Sequence, residues 1–291
     1  MPTAFSYSAT VSMPNVALAF NSVGAHIAAK LDSFDSDERT LTDELCDMSC
    51  VWNVHGARIL TVQGAQTGGL PSATFQITFG KISSREEAFN GADLRLVLTT
   101  PMGTKEALFQ AKAIDPSTLD FRRNSAADWA RLRRQLSLMR RRVGDCAFLL
   151  AYVPGSELDG RVHGFGTWEQ WFLSTHTGST DSRFGTTAIP ADSLLHPNGR
   201  WIRNRVQYNR GGTFSPVGFS LSRILLELVS CRRGSYSRSP KTGNIEPDNN
   251  TRDFRTLSIT IGEANEETWA TIVETTRKWL DSNPETGTTS I

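Results

Sequence analysis

The sequence predicts an α/β fold, and three observations carry that expectation. Short apolar runs rich in Val, Leu and Phe recur near 75–79, 94–98, 107–114 and 146–153, as expected of central strands buried on both faces. Stretches with helical periodicity precede and interrupt them. The order strand, strand, long helix, strand belongs to helices layered on a sheet. With 291 residues and 38% hydrophobic content, the chain can bury a substantial core.

Taken in order, Pro14 to Leu31 is predicted helical, with Val16, Leu18, Ala19, Val23, Ile27 and Leu31 on one side. A polar acidic link from Asp32 to Arg39 leads to a second helix from about Thr40, whose Leu41, Leu45, Met48 and Trp52 face the core. Glu38 and Glu44 flank that apolar face, and Asp43 points away from it. Ser72 to Lys81 alternates and predicts a strand ending in Phe75-Gln76-Ile77-Thr78-Phe79-Gly80. After a polar stretch from Ser83 to Asn90, Asp93 opens a strand through Leu98. A turn at Pro101-Met102-Gly103 then leads to a strand from Ala107 to Ile114.

Ser125 is a fitting N-cap for a helix reaching about Val143, with Asp128 in the first turn. Its buried stripe is Trp129, Leu132, Leu136, Met139 and Val143, and six arginines occupy much of the remainder. Gly144-Asp145 ends it before a strand from Cys146 to Val153. Beyond Pro154 the pattern loosens. Ser156 to Gly166 and Thr175 to Thr187 are loop-like, Trp168 to Phe172 is aromatic, and a short element starts at Ile189. Phe219 to Val229 is a core helix, Leu257 to Ile261 a strand, and Glu266 to Leu280 a last helix with Trp269, Ile272, Val273 and Leu280 inward. The composition of 232–252 predicts a flexible loop. The domain reading is a core over 1–155 with N-terminal helices and a C-terminal α+β extension over 156–291 packed on it; no internal repeat is present.

Net charge is only +1, so a nucleic-acid partner requires a local basic surface. Cys46, Cys50, Cys146 and Cys231 lack the spacing of a disulfide framework and predict reduced thiols. Cys46 and Cys50 lie one helical turn apart with only His55 nearby, short of the four converging ligands of a structural zinc site. The N-terminus carries no charge before Lys30, and no run approaches the roughly 20 apolar residues of a membrane span. The expectation is a cytoplasmic protein with no membrane contact. There is no G-x-S-x-G elbow, Walker loop or H-E-x-x-H. His163 and His176 lie in polar loops and predict surface histidines, and Trp168, Trp171 and Phe172 predict packing before base stacking.

The residues that carry chemistry are Asp93 and Gln110-Ala111-Lys112. They place a carboxylate, an amide oxygen and an ammonium on adjacent strands, and alternation puts Gln110 and Lys112 on one face. Magnesium prefers oxygen ligands and keeps several waters, so one or two carboxylates suffice to hold it. Asp93 is then the anchor, Gln110 and the Ala111 carbonyl complete the site, and Lys112 orients or deprotonates a water or offsets developing negative charge.

This pattern resembles the PD-(D/E)xK nuclease superfamily, in the Mrr-like variant with Gln-x-Lys, over roughly 36–155. The resemblance implies a restriction-endonuclease-like core, a mixed central sheet flanked by helices. It implies hydrolysis of DNA, with RNA second, using Mg²⁺ or Mn²⁺ in bacterial defence against phage or foreign DNA, where a protein partner or an oligomer is compatible. A helical acid before the strands completes such sites. Glu44 is the first choice because it borders the buried face. Glu38 is second, since Glu38-Arg39-Thr40-Leu41-Thr42-Asp43 resembles the entry in some relatives, and Glu87 is third. A supporting glutamine on the following helix corresponds to Gln135. Asp93 follows Gly91-Ala92, not proline, and Gln110 brings no charge, which lowers metal affinity relative to a second acid.

Phosphate contacts are assigned to Arg133, Arg134, Arg140 and Arg141 of the arginine helix, among Arg131 and Arg142, and to Arg232 and Arg233, with Arg238 and Lys241 beyond them. Two other readings stay open: a non-catalytic member acting as a nucleic-acid-binding or partner-docking subunit, and an unrelated α/β structural protein.

Overall fold

The computed structural model describes residues 6–8, 20–31 and 36–49 (less 22, 25 and 29), 74–154 (less 83, 101, 116, 118–120 and 124), 185–196, 218–236, 254–260 and 266–283. Sequence expectations for Pro14, Cys50, Trp52, His55, His163, Trp168, Trp171, Phe172, His176, Arg238 and Lys241 lie outside these residues.

In chain order the elements are β1 (Ser6–Ser8), helix α1 among the described residues of 20–31, α2 (38–49), β2 (Thr74–Lys81) and α3 (Ser84–Asn90). Then come β3 (Leu94–Thr100), β4 (Gly103–Ala113), α4 (Ala126–Val143), β5 (Ala147–Val153), β6 (Gly185–Pro190) and α5 (Ala191–Leu195). β7 (Phe219–Ser220), α6 (Leu221–Val229), β8 (Phe254–Thr260) and α7 (Glu266–Ser282) follow.

Six longer strands and two short ones form one mixed sheet in the order β1-β8-β2-β3-β4-β5-β6-β7. β2, β3 and β4 are an antiparallel meander, and the pair Thr100↔Gly103 leaves a two-residue turn between β3 and β4. β5 lies parallel to β4, which requires a crossover, and α4 provides it. The C-terminal part adds strands at both edges. β6 pairs with β5 on one side, and β8 pairs with β2 on the other.

Strand alternation divides the core into two layers. Leu96, Phe109, Phe148 and Leu150 face α1, α2, α6 and α7 through Ile27, Leu41, Leu225 and Trp269. Leu108, Leu149 and Ala151 face α4 and α5 through Leu132, Leu136, Met139 and Leu194. Each buried Leu, Ile, Met or Phe among them contributes roughly 2 kcal/mol of apolar burial. Gln110 and Lys112, two and four residues beyond Leu108, therefore face the α4 layer. Ser125 and Asp128 cap α4 reciprocally: the Ser125 side chain accepts from the Asp128 N–H, and the Asp128 carboxylate accepts from the Ser125 N–H. Gly144 stops the helix with φ +62°.

Several boundaries differ from the sequence expectation. α2 begins at 38, before Thr40, because the Asp37 carboxylate accepts the Thr40 N–H at 2.7 Å and caps the helix earlier. The stretch Ser84–Asn90 is helical; it shows no apolar stripe because Phe89 is 76% exposed and Asn90 is its buried residue. β6 starts at Gly185, and its buried Thr186 and Thr187 hide it in a stretch that reads as polar. Residues 232–236, expected at the start of a flexible loop, are held instead: Arg232 pairs with Asp281 and Arg233 with Glu227.

No helix among the described residues is long and apolar enough to cross a membrane. Cys46, Cys146 and Cys231 are free thiols, the first two buried.

Candidate active site

Asp93 stands where β4 outruns β3. The last pair of that ladder is Leu94↔Phe109, and the Asp93 N–H still reaches the Phe109 carbonyl at 2.9 Å. One residue pair further, the Asp93 carboxylate takes over as acceptor: its Oδ2 receives the Ala111 N–H at 2.8 Å and the Gln110 side-chain amide. Two residues on, Glu38 does the same from the first turn of α2. Its Oε1 accepts the Ala113 N–H and its Oε2 accepts Lys112 Nζ, each at 3.2 Å. The end of one strand is thus closed by two carboxylates, with Gln110 and Lys112 between them.

These four side chains lie in one cleft of about 380 Å³. Glu87 of α3 and Gln135 of α4 form a wall, with Gln135 Nε2 3.5 Å from Glu87 Oε1. Arg39, Lys81, Arg123 and Arg131 line the same cleft. Carboxylates beside strand termini within a rim of cations can hold a cation at the bottom and an anion above it.

The electrostatics follow from burial. Desolvation pushes the Asp93 carboxyl up to about 6; Lys112 and the Ala111 N–H pull it down, and the charges of Glu87 and Glu38 push it further up. Gln110 is 2% exposed, and its Oε1 is buried without a hydrogen-bond partner among the described residues while its Nε2 serves Asp93.

The predicted helical acid is corrected by this geometry. Glu44 does not line the cleft; it pairs with Lys30 and with His26. Burial opposes its ionisation, yet the hydrogen bonds from Lys30 and His26 hold its carboxyl below the usual range. Glu38 stands six residues earlier, on another side of α2 and at the end that abuts β4. Its neighbour Thr42 ties that turn to the sheet, donating to the Glu38 carbonyl at 2.7 Å and lying 2.8 Å from the Tyr152 hydroxyl.

The arginines divide as well. Arg133 donates to the Leu195 carbonyl, Arg140 pairs with Asp192, and Arg142 pairs with Glu106. Arg232 is engaged by Asp281 and the Arg277 carbonyl. Arg233 pairs with Glu227 and lies over the rings of Phe148 and Phe219, on the sheet face opposite the cleft. These last two therefore make no phosphate clamp at this site. Arg134 and Arg141 are exposed. Lys81 and Arg123 were not among the expected site residues, because they come from elements that only the fold brings together.

Gly91 fixes the approach to Asp93. Its φ is +74°, and a Cβ there would stand 2.6 Å from the Gln135 carbonyl oxygen, so the loop touches the backbone of α4. Gly91→Ala is expected to cost about 1–3 kcal/mol from the backbone conformation alone. Urea unfolding checks this, and an unchanged midpoint would contradict it.

No protein-family model and no curated protein matches this chain. Among the described residues no group of three His, Cys, Asp or Glu side chains is placed to hold a metal ion. The donor set nevertheless fits a hard cation with few carboxylates. Gln110 Oε1 is a buried oxygen lacking a partner among the described residues, and a half-turn of its amide sets that oxygen beside Asp93 in place of Nε2.

Proposed function

We propose that this protein is a metal-dependent nuclease that hydrolyses DNA phosphodiester bonds, with a restriction-endonuclease-like core formed by α2, β2 to β4, α4 and β5. The observation that carries the reading is the meeting of Asp93, Gln110, Lys112 and Glu38 in one cleft with Arg39, Arg123 and Arg131. An acid on the preceding helix, Gln-x-Lys on a strand and a glutamine on the following helix agree with the resemblance in type and order. A role in bacterial defence, and any protein partner or oligomer, rest on that resemblance.

Asp93, Glu38 and Gln110 Oε1 would hold Mg²⁺ or Mn²⁺. When bound, the ion polarises a phosphoryl oxygen and lowers the pKa of its water. Lys112 supplies a side-chain ammonium to the site. Its Nζ is held by Glu38 and faces the cleft, where it can orient the attacking water or offset charge on the phosphorane oxygens. The cations at the cleft mouth position the phosphate without reading bases.

A second reading has its own support. Three acidic or imidazole ligands do not converge among the described residues, and Gln110 and Lys112 already have carboxylate partners. That arrangement suits a nuclease-fold subunit that binds nucleic acid without turnover.

Plasmid nicking with Mg²⁺ or Mn²⁺ separates the two. Wild type is expected to cut, and Lys112→Ala to lose about 10²–10⁴-fold in rate. Equal cutting by both would remove Lys112 from the chemistry. Salt-sensitive binding in EDTA with no cutting would leave the binding subunit.

A further inference from the structure

We propose that DNA leaving the cleft runs along the exposed side of α4 on a track formed by Arg131, Arg134 and Arg141. This rests on the nuclease reading for its substrate class but names a different surface and a direction.

At 100° per residue, Arg134 and Arg141 lie within about 80° of Arg131 around the helix axis, and the three span about 15 Å along it. The buried stripe of Leu132, Leu136 and Met139 lies on the far side of the helix. All three arginines are exposed, and none has an ion pair or hydrogen bond among the described residues. Their neighbours on the same helix are engaged: Arg133 by the Leu195 carbonyl, Arg140 by Asp192, and Arg142 by Glu106.

The fold therefore sorts six arginines into a set that ties α4 to its neighbours and a set facing solvent. The solvent set begins at the cleft, which Arg131 lines. Past Asp128, which Ser125 engages in the capping box, α4 carries no acidic residue, so beyond Arg131 nothing on the helix itself neutralises the stripe. A run of about 15 Å matches some four phosphates of one strand at ~3.4 Å each. Arginine presents a planar fork suited to phosphate oxygens, and such contacts carry no sequence information.

The test uses the full chain in EDTA, with labelled 24-nucleotide DNA as single strand and as duplex. Anisotropy is followed as a function of salt. The combined Arg131→Ala, Arg134→Ala, Arg141→Ala variant is expected to bind at least tenfold more weakly at 50 mM salt, with the slope of log affinity against log salt shallower by about 2–3. The three corresponding lysine substitutions should restore most of the slope, which excludes a folding defect as its cause. Arg133→Ala with Arg140→Ala should leave the slope near that of wild type. An unchanged slope in the alanine triple, an equal loss in the Arg133/Arg140 pair, or no DNA binding by wild type overturns the track. Cleavage by a protein whose slope ignores the triple would sink the track and keep the nuclease; a lost slope without any cleavage would do the reverse.

Discussion

Asp93→Asn is expected to make the protein more stable at pH 8 while abolishing metal-dependent cleavage. The Asp93 carboxyl is pushed by burial from the ordinary 3.8 up to about 6. A raised carboxyl pKa means that the folded state holds the proton more tightly than the unfolded chain. Its favourable contribution is complete below the ordinary pKa and is lost as pH rises through about 6. Above that range the fold carries a desolvated charge that costs roughly 3 kcal/mol, two pKa steps at about 1.4 kcal/mol each.

Asparagine removes the charge and keeps the shape. Its carbonyl can accept the Ala111 N–H, and its amide can donate to the partnerless Gln110 Oε1 once that side chain turns. Chemical denaturation should therefore show a gain of about 2–3 kcal/mol at pH 8 that shrinks to about 0.5 kcal/mol at pH 4 and vanishes below it. Mg²⁺ should then stabilise wild type, by about 1.4 kcal/mol at ten times its Kd, and leave the variant unmoved. A variant less stable than wild type at pH 8 would make Asp93 a structural acceptor and remove the anchor of the site. The sign follows from burial, since a desolvated carboxylate costs the fold stability once it is ionised.

The strand carriers of the site were legible in the sequence for a local reason. Period-2 alternation fixes Gln110 and Lys112 on one face whatever the rest of the chain does, and the short turn after Thr100 makes β3 and β4 neighbours. The cap of α4 was equally local, since Ser125 and Asp128 bond each other across three residues.

What could not be read was which border of a helix meets the end of a strand. Glu38 and Glu44 both flank the apolar side of α2, and helical periodicity ranks neither. The choice is made by the end of α2 that abuts β4 and by Lys30 and His26, which claim Glu44 from another helix. The arginines repeat the lesson. Arg140 and Arg134 look alike in sequence, but Asp192 on α5 engages the first and nothing among the described residues engages the second. Burial of Thr186 and Thr187, which hid β6, is likewise a property of the sheet around them.

The paired substitutions Glu38→Gln and Glu44→Gln turn this correction into an experiment. Glu38→Gln keeps an oxygen for the Ala113 N–H but removes the charge that holds Lys112 and would help hold the metal ion. Cleavage is expected to fall at least 100-fold, with the Mg²⁺ concentration for half-maximal rate raised severalfold, because a ligand charge and the orientation of Lys112 go together. Glu44→Gln loses the pairing with Lys30 and His26 on a partly exposed surface, worth at most about 1 kcal/mol to the fold. Its cleavage rate and Mg²⁺ dependence should stay within twofold of wild type. Rates measured across a Mg²⁺ titration decide between the two acids: the reverse pattern would return the metal-assisting role to Glu44 and require α2 to sit differently against β4. Equal, small effects in both would mean that neither acid takes part, leaving Asp93 with Glu87 of the cleft wall as the next acid to test.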